Sequence, residues 1–418
     1  MYQERLKIDW WAVGLWAVLA LFGVLNIYSA TYTGGQGSLF SFSTFSGKQL
    51  VWIGGAVLLA VVILLTEPRL FSNGAYPIYA AVMLLLVATL FLAVTVNGGK
   101  SWIDLGGFRF QPTEFAKFAT ALALAKFMSG IDIEWSQPRT KIIALLLVAL
   151  PAALVFLQHD TGSALVFTAF VLPLFREGLS GSLLVVGLAA VVLFVLALVI
   201  NKYILLGALV LVALFYLFVW LGKRSAKDYW RAAGVLVLCA AFIFSVDFLF
   251  NSVLEPHQRE RIDVLLGKTE DLQGSGYNVH QSKIAIGSGG FFGKGYLSGT
   301  LTKANFVPER HTDFIFCTVG EEWGWLGSSA VVILYVVLLV HLVNMAERQR
   351  SAFSRFYGYA VASILFVHLF VNVGMVLGLI PVIGIPLPFF SYGGSSMLAF
   401  TILLFIFIRL DATKNQLY

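Results

Sequence analysis

Charged residues that could carry out chemistry concentrate between positions 251 and 312 of a chain that is otherwise strongly apolar. This segment contains six acidic residues, namely Glu255, Glu260, Asp263, Glu270, Asp271 and Glu309. It also contains seven basic residues, namely Arg259, Arg261, Lys268, Lys283, Lys294, Lys303 and Arg310. Carboxylates mixed with cations at a membrane surface suit the binding of an anionic lipid headgroup beside a catalytic carboxylate. A solvated loop has the same composition, so composition alone leaves both interpretations open.

Three features of this segment favour a binding site over a plain loop. The stretch from Gln281 to Gly287 is half apolar, which predicts a short amphipathic element lying on the membrane. The glycines between 287 and 299 allow backbone amides to turn toward an anion. The sequence PERHTDF at 308–314 places four polar side chains at the membrane entrance, directly before an apolar run, and they are Glu309, Arg310, His311 and Asp313. An interfacial cap would occupy the same position.

Ionisable residues within apolar runs are costly, so each is a candidate site residue. Glu114 and Lys117 stand three residues apart at the start of a predicted helix, where they can pair with each other. A structural ion pair and a functional role fit this spacing equally well. Asp160 follows a break between two apolar runs, where it either caps the next helix or serves a site. Glu321 and Glu322 lie inside a later run, and we expect them to partner Lys117.

Several other chemistries are excluded by residue spacing. The stretch GSGGFFGKG lacks the GxxxxGK[ST] pattern of a nucleotide-binding loop. The six histidines form no HExxH motif or close ligand pair, so we predict no metal site built by the protein, and we expect His341 and His368 to form interhelical hydrogen bonds. Cys239 and Cys317 are the two cysteines, and both lie in apolar runs, which excludes a disulfide framework or a CxxC site.

The elements that position these residues are predicted to be membrane-spanning helices. Of 418 residues, 59% are hydrophobic and 12% are Asp, Glu, Lys or Arg, which excludes a water-soluble globule. We predict an all-α polytopic membrane protein with about twelve spans, at 10–31, 48–66, 76–96, 113–129, 141–158, 162–176, 180–200, 203–221, 232–250, 313–343, 356–379 and 390–410. Runs 162–176 and 180–200 could instead form one broken helix. The first run is too long for a cleaved signal peptide and is expected to remain as an anchor.

The distribution of basic residues predicts the orientation. Short segments on one side hold sixteen Lys and Arg residues, whereas those on the other side hold four, namely Lys48, Lys100, Arg109 and Lys202. The positive-inside bias therefore places both termini in the cytoplasm, and it places the loop 97–112 and the large loop 251–312 outside. The same bias explains the net charge of +6 without a nucleic-acid partner. The outer turn from Leu379 to Ser396 carries three prolines, which predicts a helix break that protein or water must cover.

Five long motifs resemble the SEDS family (shape, elongation, division and sporulation), whose members polymerise peptidoglycan glycan strands. They are NGGKSWIDLGGFRFQPTEFAKF at 97–118, LQHDTGSALVF at 157–167, GSGYNVHQSKIAIGSGGFFGKGYLSGT at 274–300, NFVPERHTDFIFCTVGEEWGWLG at 305–327 and GLIPVIGIPLPFFSYGGSS at 378–396. The motifs follow the family's order. The stretches SKIAIGSGG and PERHTDFIF look more similar to the elongation, rod-shape branch than to the division branch.

The resemblance implies a bacterial inner-membrane glycosyltransferase that uses lipid II, the undecaprenyl-diphosphate-linked disaccharide pentapeptide. It implies that the essential acidic residue is Asp271, with Glu270 as the fallback because Leu272 stands where the family usually has proline. Lys48 matches a family position that often carries arginine. The implied partner is a class B penicillin-binding protein, a transpeptidase. Family members commonly have ten spans, so the region 201–250 is predicted to be an inserted helical hairpin.

Glycan extension from a lipid diphosphate requires a base for the attacking sugar hydroxyl and positive charge for the departing diphosphate. With Asp271 as the base, direct in-line attack predicts inversion at the anomeric carbon. The candidates for binding the diphosphate are Lys117, Arg259, Arg261, Lys303 and Arg310, and Mg²⁺ or another divalent cation could share that role. The other candidate substrate-binding residues are Lys48, Glu114, Asp160, Glu309, His311 and Asp313.

Two further functions are compatible with the sequence. A lipid II flippase would line a headgroup path with Glu114, Lys117, Glu321 and Glu322. Such a path also needs polar residues in the inner half of the bilayer, and the acidic residues concentrate at the outer side. A non-catalytic scaffold of the elongation machinery predicts that the charged outer residues can be replaced without loss of function.

Overall fold

The computed structural model describes residues 7–32, 38–96, 99–104, 106, 108–130, 133–135, 137–220, 225–248, 250, 252, 259, 275–304 and 306–414. The candidate residues Glu270, Asp271 and Arg261 lie outside these ranges. The chain forms two compact units. The first comprises residues 1–178 and 277–418, and the second comprises residues 179–276.

The described residues in the first half of the first unit form eight α-helices and a small sheet. The first four helices are α1 (Trp10–Thr31), α2 (Phe45–Leu65), α3 (Pro68–Asn73) and α4 (Ala75–Leu92). The sheet consists of β1 (Val94–Val96), β2 (Gly99–Asp104) and β3 (Arg109–Phe110), paired antiparallel in the order β1-β2-β3. The next helices are α5 (Pro112–Met128), α6 (Pro138–Leu157), α7 (Thr161–Val166) and α8 (Val171–Arg176), with a 3₁₀ turn at Phe167–Phe170.

The second unit contains α9 (Gly181–Val199), α10 (Lys202–Phe215) with a π-helical extension at Tyr216–Trp220, and α11 (Ala226–Phe248). Lys202 and Asp247 form an ion pair at 2.9 Å between the start of α10 and the end of α11. The predicted hairpin at 201–250 therefore consists of two helices that contact each other. Whether it is inserted relative to the family stays a prediction.

The remaining helices are α12 (Ser275–Gly289), α13 (Ile315–Glu347), α14 (Ala352–Val376) and α15 (Gly394–Ala412), and all but the first two residues of α12 belong to the first unit. Most residues of α14 and α15 are buried, and these helices form the core together with α5. Alanine recurs along α5, so neighbouring helices can pack closely around the segment that carries Glu114 and Lys117. This places two ionisable residues in the interior of the unit.

Helix starts follow from local capping chemistry. The Asp9 side chain accepts a hydrogen bond from Ala12 N at 3.1 Å, and the Thr44 side chain accepts one from Gly47 N at 3.1 Å. Pro112 and Pro138 occupy the first positions of α5 and α6, where a missing N–H carries no penalty.

Asp9 also ties α1 to the far end of α13. His341 Nε2 lies 2.9 Å from Asp9 Oδ1, which confirms the interhelical hydrogen bond predicted for His341. Arg348 bridges Asp9 at 3.0 Å and Asp411 at 2.7 Å. Burial raises the pKa of Asp9, but hydrogen bonds from Ala12, His341 and Arg348 outweigh it and hold that pKa below its usual value. The carboxylate is therefore ionised at neutral pH.

The helical fold class is confirmed. In the part of the chain that the structure describes, eight helices are long and apolar enough to cross a membrane, and shorter apolar helices lie at Thr161–Arg176, Leu184–Leu198 and Lys202–Phe218. The number of spans stays a prediction. A helix ends at Arg176 and another begins at Gly181, so the helical structure is interrupted between the predicted runs 162–176 and 180–200.

The structure adds four details to the sequence-based prediction. The span predicted at 76–96 ends at Leu92, and its last residues form β1. The loop 97–112 contains β2 and β3, whose few residues give too short an alternation to be detected in the sequence. The span predicted at 313–343 is broken at Gly324, where φ is 65° and ψ is −158°. The residues Gln281 to Gly287 lie within α12, so the predicted short element is a helix.

Candidate active site

The most buried ionisable cluster of the candidate site lies on α5 and α14. Glu114 Oε1 and Lys117 Nζ are 2.7 Å apart, and each side chain is at most 2% exposed, which confirms that the two residues pair. Lys117 Nζ also lies 2.9 Å from His368 Nε2. Lysine can only donate, so His368 Nε2 must accept, and its Nδ1–H donates to Pro386 O at 3.0 Å. The contacts thus select one neutral tautomer of His368.

Glu114 is not fully satisfied. Within the described residues, its Oε2 and the nearby Thr113 Oγ1 are buried without a hydrogen-bond partner. Lys117 uses two of the three donors of its ammonium group on Glu114 and His368, and the group lies 5.2 Å from the centre of the Phe400 ring. Buried polar atoms normally find partners. The cluster therefore retains capacity for a further polar group.

A non-helical segment covers this cluster, and we call Leu377–Gly393 the proline loop. Its backbone is held by side chains of the surrounding helices, since Tyr335 Oη donates to Pro388 O and Asn372 Nδ2 donates to Ile385 O at 2.8 Å. Gln49 Oε1 accepts from Gly393 N at 3.1 Å. These contacts confirm that the predicted helix break is covered by protein, as backbone outside a helix must be at membrane depth.

The segment 308–314, PERHTDF, docks onto the proline loop and onto two helix ends. Tyr392 N donates to His311 O at 2.9 Å, and the His311 ring lies 4.5 Å from the Phe45 ring at the start of α2. Arg310 Nε donates to Ala30 O at the end of α1, at 2.6 Å. Asn372 Nδ2 donates to Asp313 O at 2.9 Å. Burial lowers the pKa of His311, so the ring is neutral at pH 7.

Asp160 joins the starts of α5 and α7. Its Oδ1 accepts from Ser163 N at 3.0 Å, so Asp160 caps α7, one of the two alternatives that the sequence left open, and its Oδ2 accepts from Gln111 Nε2 at 3.1 Å. Gln111 N in turn donates to Ser395 Oγ at the start of α15, at 3.1 Å. Asp160 is therefore a structural link between three helices.

Backbone strain concentrates in these same segments. Among the described residues, four non-glycine residues have positive φ, namely His159 (60°), Leu297 (60°), Glu309 (53°) and Phe389 (65°). Residues with side chains rarely adopt this conformation, and it is retained where the surroundings impose it, often at functional sites. All four lie within segments that the family resemblance singled out.

The structure separates the remaining candidates. Lys48 is exposed, with its ammonium group 5.9 Å from the Phe45 ring, and Glu309 is exposed as well. Lys303 contacts Leu297 O and lies 5.2 Å from the Tyr32 ring. Arg259 belongs to the second unit. Glu270, Asp271 and Arg261 lie outside the described residues, so their roles stay predictions.

The expected pairing of Glu321 and Glu322 with Lys117 is wrong. Glu321 pairs with Lys294 at 2.7 Å, and Glu322 accepts from Gly299 N at 3.3 Å and contacts Ser29 Oγ. Lys117 is already occupied by Glu114, because residues three apart on a helix meet without any help from the rest of the fold.

Sequence reasoning missed the residues that hold the proline loop. Gln49, Tyr335 and Asn372 were not singled out, and His368 was expected to form a hydrogen bond without a named partner. Each is a polar residue within an apolar run, which is the signal that could have identified it.

The chain is similar to known proteins along nearly its whole length. The family model for the FtsW, RodA and SpoVE proteins, described as cell cycle protein, matches residues 9–205 and 188–416. The peptidoglycan glycosyltransferase MrdB of Escherichia coli K12 is 36% identical over 353 residues, which cover 84% of this chain and 81% of MrdB. The peptidoglycan glycosyltransferase RodA of Treponema pallidum is 31% identical over 402 residues, covering 91% of this chain and 92% of that protein.

Solved structures resemble the fold. The crystal structure of the rod shape determining protein RodA of Thermus thermophilus matches with a TM-score of 0.65 and 27% identity, covering 99% of both chains. A chain from a peptidoglycan synthase complex, described as coordinating polymerization and crosslinking, matches with a TM-score of 0.72 and 28% identity, covering 98% of this chain and 99% of that chain.

Proposed function

The chain belongs to the FtsW, RodA and SpoVE family of cell-cycle proteins, and we propose that it polymerises lipid II into glycan strands for cell elongation. Membership rests on the family model, which matches nearly the whole chain, and it confirms the resemblance carried by the five motifs. The chain is a peptidoglycan glycosyltransferase, the class for which its curated relatives are named. That match, over 84% to 91% of the chain, is the observation that carries the proposal.

We propose Asp271 as the general base, with Glu270 as the alternative. The carboxylate takes the proton of the acceptor sugar hydroxyl, and the oxygen of that hydroxyl attacks the anomeric carbon of the donor sugar. The bond from that carbon to the diphosphate oxygen breaks, and the lipid diphosphate leaves with the electron pair. In-line attack inverts the anomeric centre, which converts an α-linked donor into a β-linked strand. A carboxyl group at its reference pKa of ~3.9 is a weak base, so the site must raise that value or orient the hydroxyl.

For the departing diphosphate, we propose that Lys117 supplies positive charge. Its ammonium group is buried, is hydrogen bonded to one carboxylate and one neutral imidazole, and has a donor to spare. In a low-dielectric interior, such a charge stabilises a developing anion more strongly than it would in water. Arg310 and Lys303 are already engaged with the end of α1 and with Leu297 O, so Lys117 is the better supported of these three candidates.

A divalent cation such as Mg²⁺ stays part of the proposal. The described residues include no group of three or more His, Cys, Asp or Glu side chains placed to hold a metal ion. Mg²⁺ keeps several waters and commonly binds phosphates, so such an ion would take ligands from the diphosphate and water. We expect polymer formation to fall on chelation with EDTA and to recover with added Mg²⁺, and full activity in EDTA would remove the ion from the proposal.

We propose that the protein lies in the bacterial inner membrane with both termini in the cytoplasm, and that its partner is a class B penicillin-binding protein. The bias of basic residues supports the orientation. The solved complex that coordinates polymerization and crosslinking supports the partner. Cysteines placed at the exposed positions Glu309 and Arg350 test the orientation. A membrane-impermeant maleimide applied to intact spheroplasts should label position 309 and spare position 350.

The deciding experiment measures glycan polymerisation from purified lipid II, with the protein reconstituted with and without its transpeptidase. Wild type should form polymer, and Asp271→Ala should abolish it in a protein that still folds. As a matched control, Glu347→Gln removes a carboxylate from a half-exposed ion pair with Arg176 and should retain activity.

Other outcomes point to different functions. Full activity of Asp271→Ala together with loss in Glu270→Ala would move the base to Glu270. No polymer from wild type with its partner, combined with transbilayer movement of lipid II in the same vesicles, would favour the flippase. If neither activity is seen and the charged outer residues can be replaced in cells, the scaffold function is favoured.

A further inference from the structure

The turn at 290–295, which follows α12, forms backbone hydrogen bonds with α13 at its break around Gly324. The backbone groups freed around Gly324 are paired by the turn at 290–295. Lys294 N and Gly295 N donate to Glu321 O and Glu322 O at 3.0 and 2.9 Å. Trp325 N and Leu326 N donate to Gly290 O and Phe291 O at 2.9 and 3.1 Å. The break is therefore a fixed joint between two segments distant in sequence, because its amides and carbonyls are satisfied.

The Glu321 side chain adds the strongest contact at this joint. It is fully buried, and its carboxylate accepts six hydrogen bonds. Oε1 accepts from Lys294 Nζ at 2.7 Å, Thr300 N at 2.8 Å, Thr300 Oγ1 at 3.0 Å and Leu301 N at 2.9 Å. Oε2 accepts from Thr302 N at 2.9 Å and Thr302 Oγ1 at 2.7 Å. Three successive amides turned toward one anion form a backbone nest, here filled by a side chain of the same protein.

The local sequence allows this arrangement. A Cβ on Gly299 would clash with Thr302 Oγ1 and lie 3.1 Å from both Glu321 Oε2 and Glu322 Oε1, so a side chain there would displace the Thr302 hydroxyl from Glu321. Threonines at 300 and 302 place both hydroxyls on Glu321. Glu322 has far fewer contacts, and its Oε2 has no partner within the described residues. The nest is therefore specific to Glu321.

The segment that Glu321 holds reaches the end of α1. Tyr296 Oη donates to Leu25 O at 3.2 Å, and Arg310 Nε donates to Ala30 O at 2.6 Å. The last carbonyls of a helix lack partners within it and carry partial negative charge, so a cation there is favourable. Contacts of Lys294, Gly295 and Tyr296 thus connect the break of α13 to α1, and Arg310 of the PERHTDF segment contacts the same helix.

We propose that Glu321 is a positioning residue for glycan polymerisation. By filling the nest at 300–302 and pairing with Lys294, its carboxylate fixes residues 294–304 and thereby sets the position of Lys303 and the PERHTDF segment. Glu321 has no acceptor capacity left for a substrate, so it acts through the residues that it holds. The inference rests on the proposed function, because the reaction being positioned is that polymerisation.

The test combines kinetics with hydrogen exchange on the full-length protein reconstituted with its transpeptidase. Glu321→Gln keeps the shape of the side chain but replaces one carboxylate oxygen by an amide nitrogen, which cannot accept hydrogen bonds from the nest. It should lower kcat about 10- to 100-fold, the scale of a small misplacement of reacting groups, with little change in KM for lipid II. The amides of 300–302 should exchange faster. Glu321→Asp retains the charge and should recover part of kcat.

Two further variants keep the test decisive. If Glu321→Gln fails to fold, Lys294→Met removes the ion pair with Glu321 and one hydrogen bond to Thr300 Oγ1 but keeps the buried carboxylate, so it should change kcat and exchange in the same direction by less. Glu347→Gln, at the other end of α13, should change neither. Unchanged kcat with faster exchange at 300–302 would overturn positioning while the proposed function stands. An inactive wild type would overturn the proposed function, and exchange would still decide whether Glu321 anchors the segment.

Discussion

The buried pair Glu114–Lys117 and the pair Glu321–Lys294 have the same nitrogen-to-oxygen distance, 2.7 Å, but different surroundings. Glu321 fills a nest of amides and hydroxyls, and all of its contacts come from one short segment. Glu114 keeps one buried oxygen without a partner in the described part of the chain, and Lys117 is hydrogen bonded to the neutral imidazole of His368 on another helix.

The difference separates two uses of a buried carboxylate. An acid whose acceptor positions are filled by backbone amides fixes a segment and has nothing left to offer a ligand. An acid that is only partly satisfied keeps a polar position open in the interior, at a cost that a purely structural pair could avoid. This difference supports the proposals of substrate binding for the first pair and positioning for the second, and each proposal can be tested by substitution.

The largest expected effect on stability is that of Glu321→Gln. The substitution leaves Lys294 without its counter-ion and several donors facing an amide nitrogen. Removing one partner of a buried, hydrogen-bonded pair costs up to about 5 kcal/mol of unfolding free energy, and we expect a value near that limit. Denaturant unfolding in detergent, followed by tryptophan fluorescence, measures it. A loss below about 1 kcal/mol, the scale of one hydrogen bond, would contradict the account of the nest.

Substitutions in the pair Glu114–Lys117 should lower the free energy of unfolding less than Glu321→Gln does, but they should reduce polymerisation more completely. Glu114→Gln and Lys117→Met should each cost about 3 kcal/mol, because each leaves one buried charge unpaired. The double variant should cost less than either single one, since no charge is then left alone. All three should lose polymerisation. Recovery of activity in the double variant would show that the pair is structural, like the pair at Glu321.

His368→Phe should have an intermediate effect. The variant removes an acceptor from Lys117 and a donor from Pro386 O, at a cost of about 1 to 3 kcal/mol for the buried groups left unsatisfied. If the imidazole holds Lys117 for the diphosphate, kcat should fall while the protein remains folded. Lipid II titrations of folded protein provide the measurement, and unchanged kinetics would remove His368 from the site.

The smallest expected effect is that of Thr302→Val. The substitution removes one hydroxyl donor at 2.7 Å and leaves the other donors to Glu321 in place, so it should cost about 1 kcal/mol. Activity should stay close to wild type. A large loss of activity would mean that the hydroxyl of Thr302, rather than the Glu321 carboxylate, organises the segment.

Local geometry explains which parts of the candidate site could be predicted from the sequence. The sequence offered the pairing of Glu114 with Lys117 and the cap at Asp160 as one of two interpretations in each case, and the structure shows both contacts. Each depends on residues three apart on one helix, where the backbone alone brings the groups together. The helical membrane fold followed from the length and number of apolar runs.

Contacts between distant residues could not be predicted in the same way. Lys117 meets His368 across 251 positions, and Lys294 meets Glu321 across 27. Lys117 lies in an apolar helix and Lys294 in a glycine-rich turn, and neither local sequence identifies a distant partner, so the expected pairing of Lys117 with Glu321 and Glu322 was wrong. Which acid meets which lysine depends on how the helices pack.

The sequence by itself thus determined the class of fold, the family and those pairs that a single helix turn creates, because these depend on composition, motif and local backbone geometry. Only the tertiary structure decided which polar side chains cover the proline loop, where α13 breaks and which acid the nest at 300–302 encloses. Each of these requires buried backbone groups to find partners, and the partners come from whichever segment the packing brings within hydrogen-bonding distance.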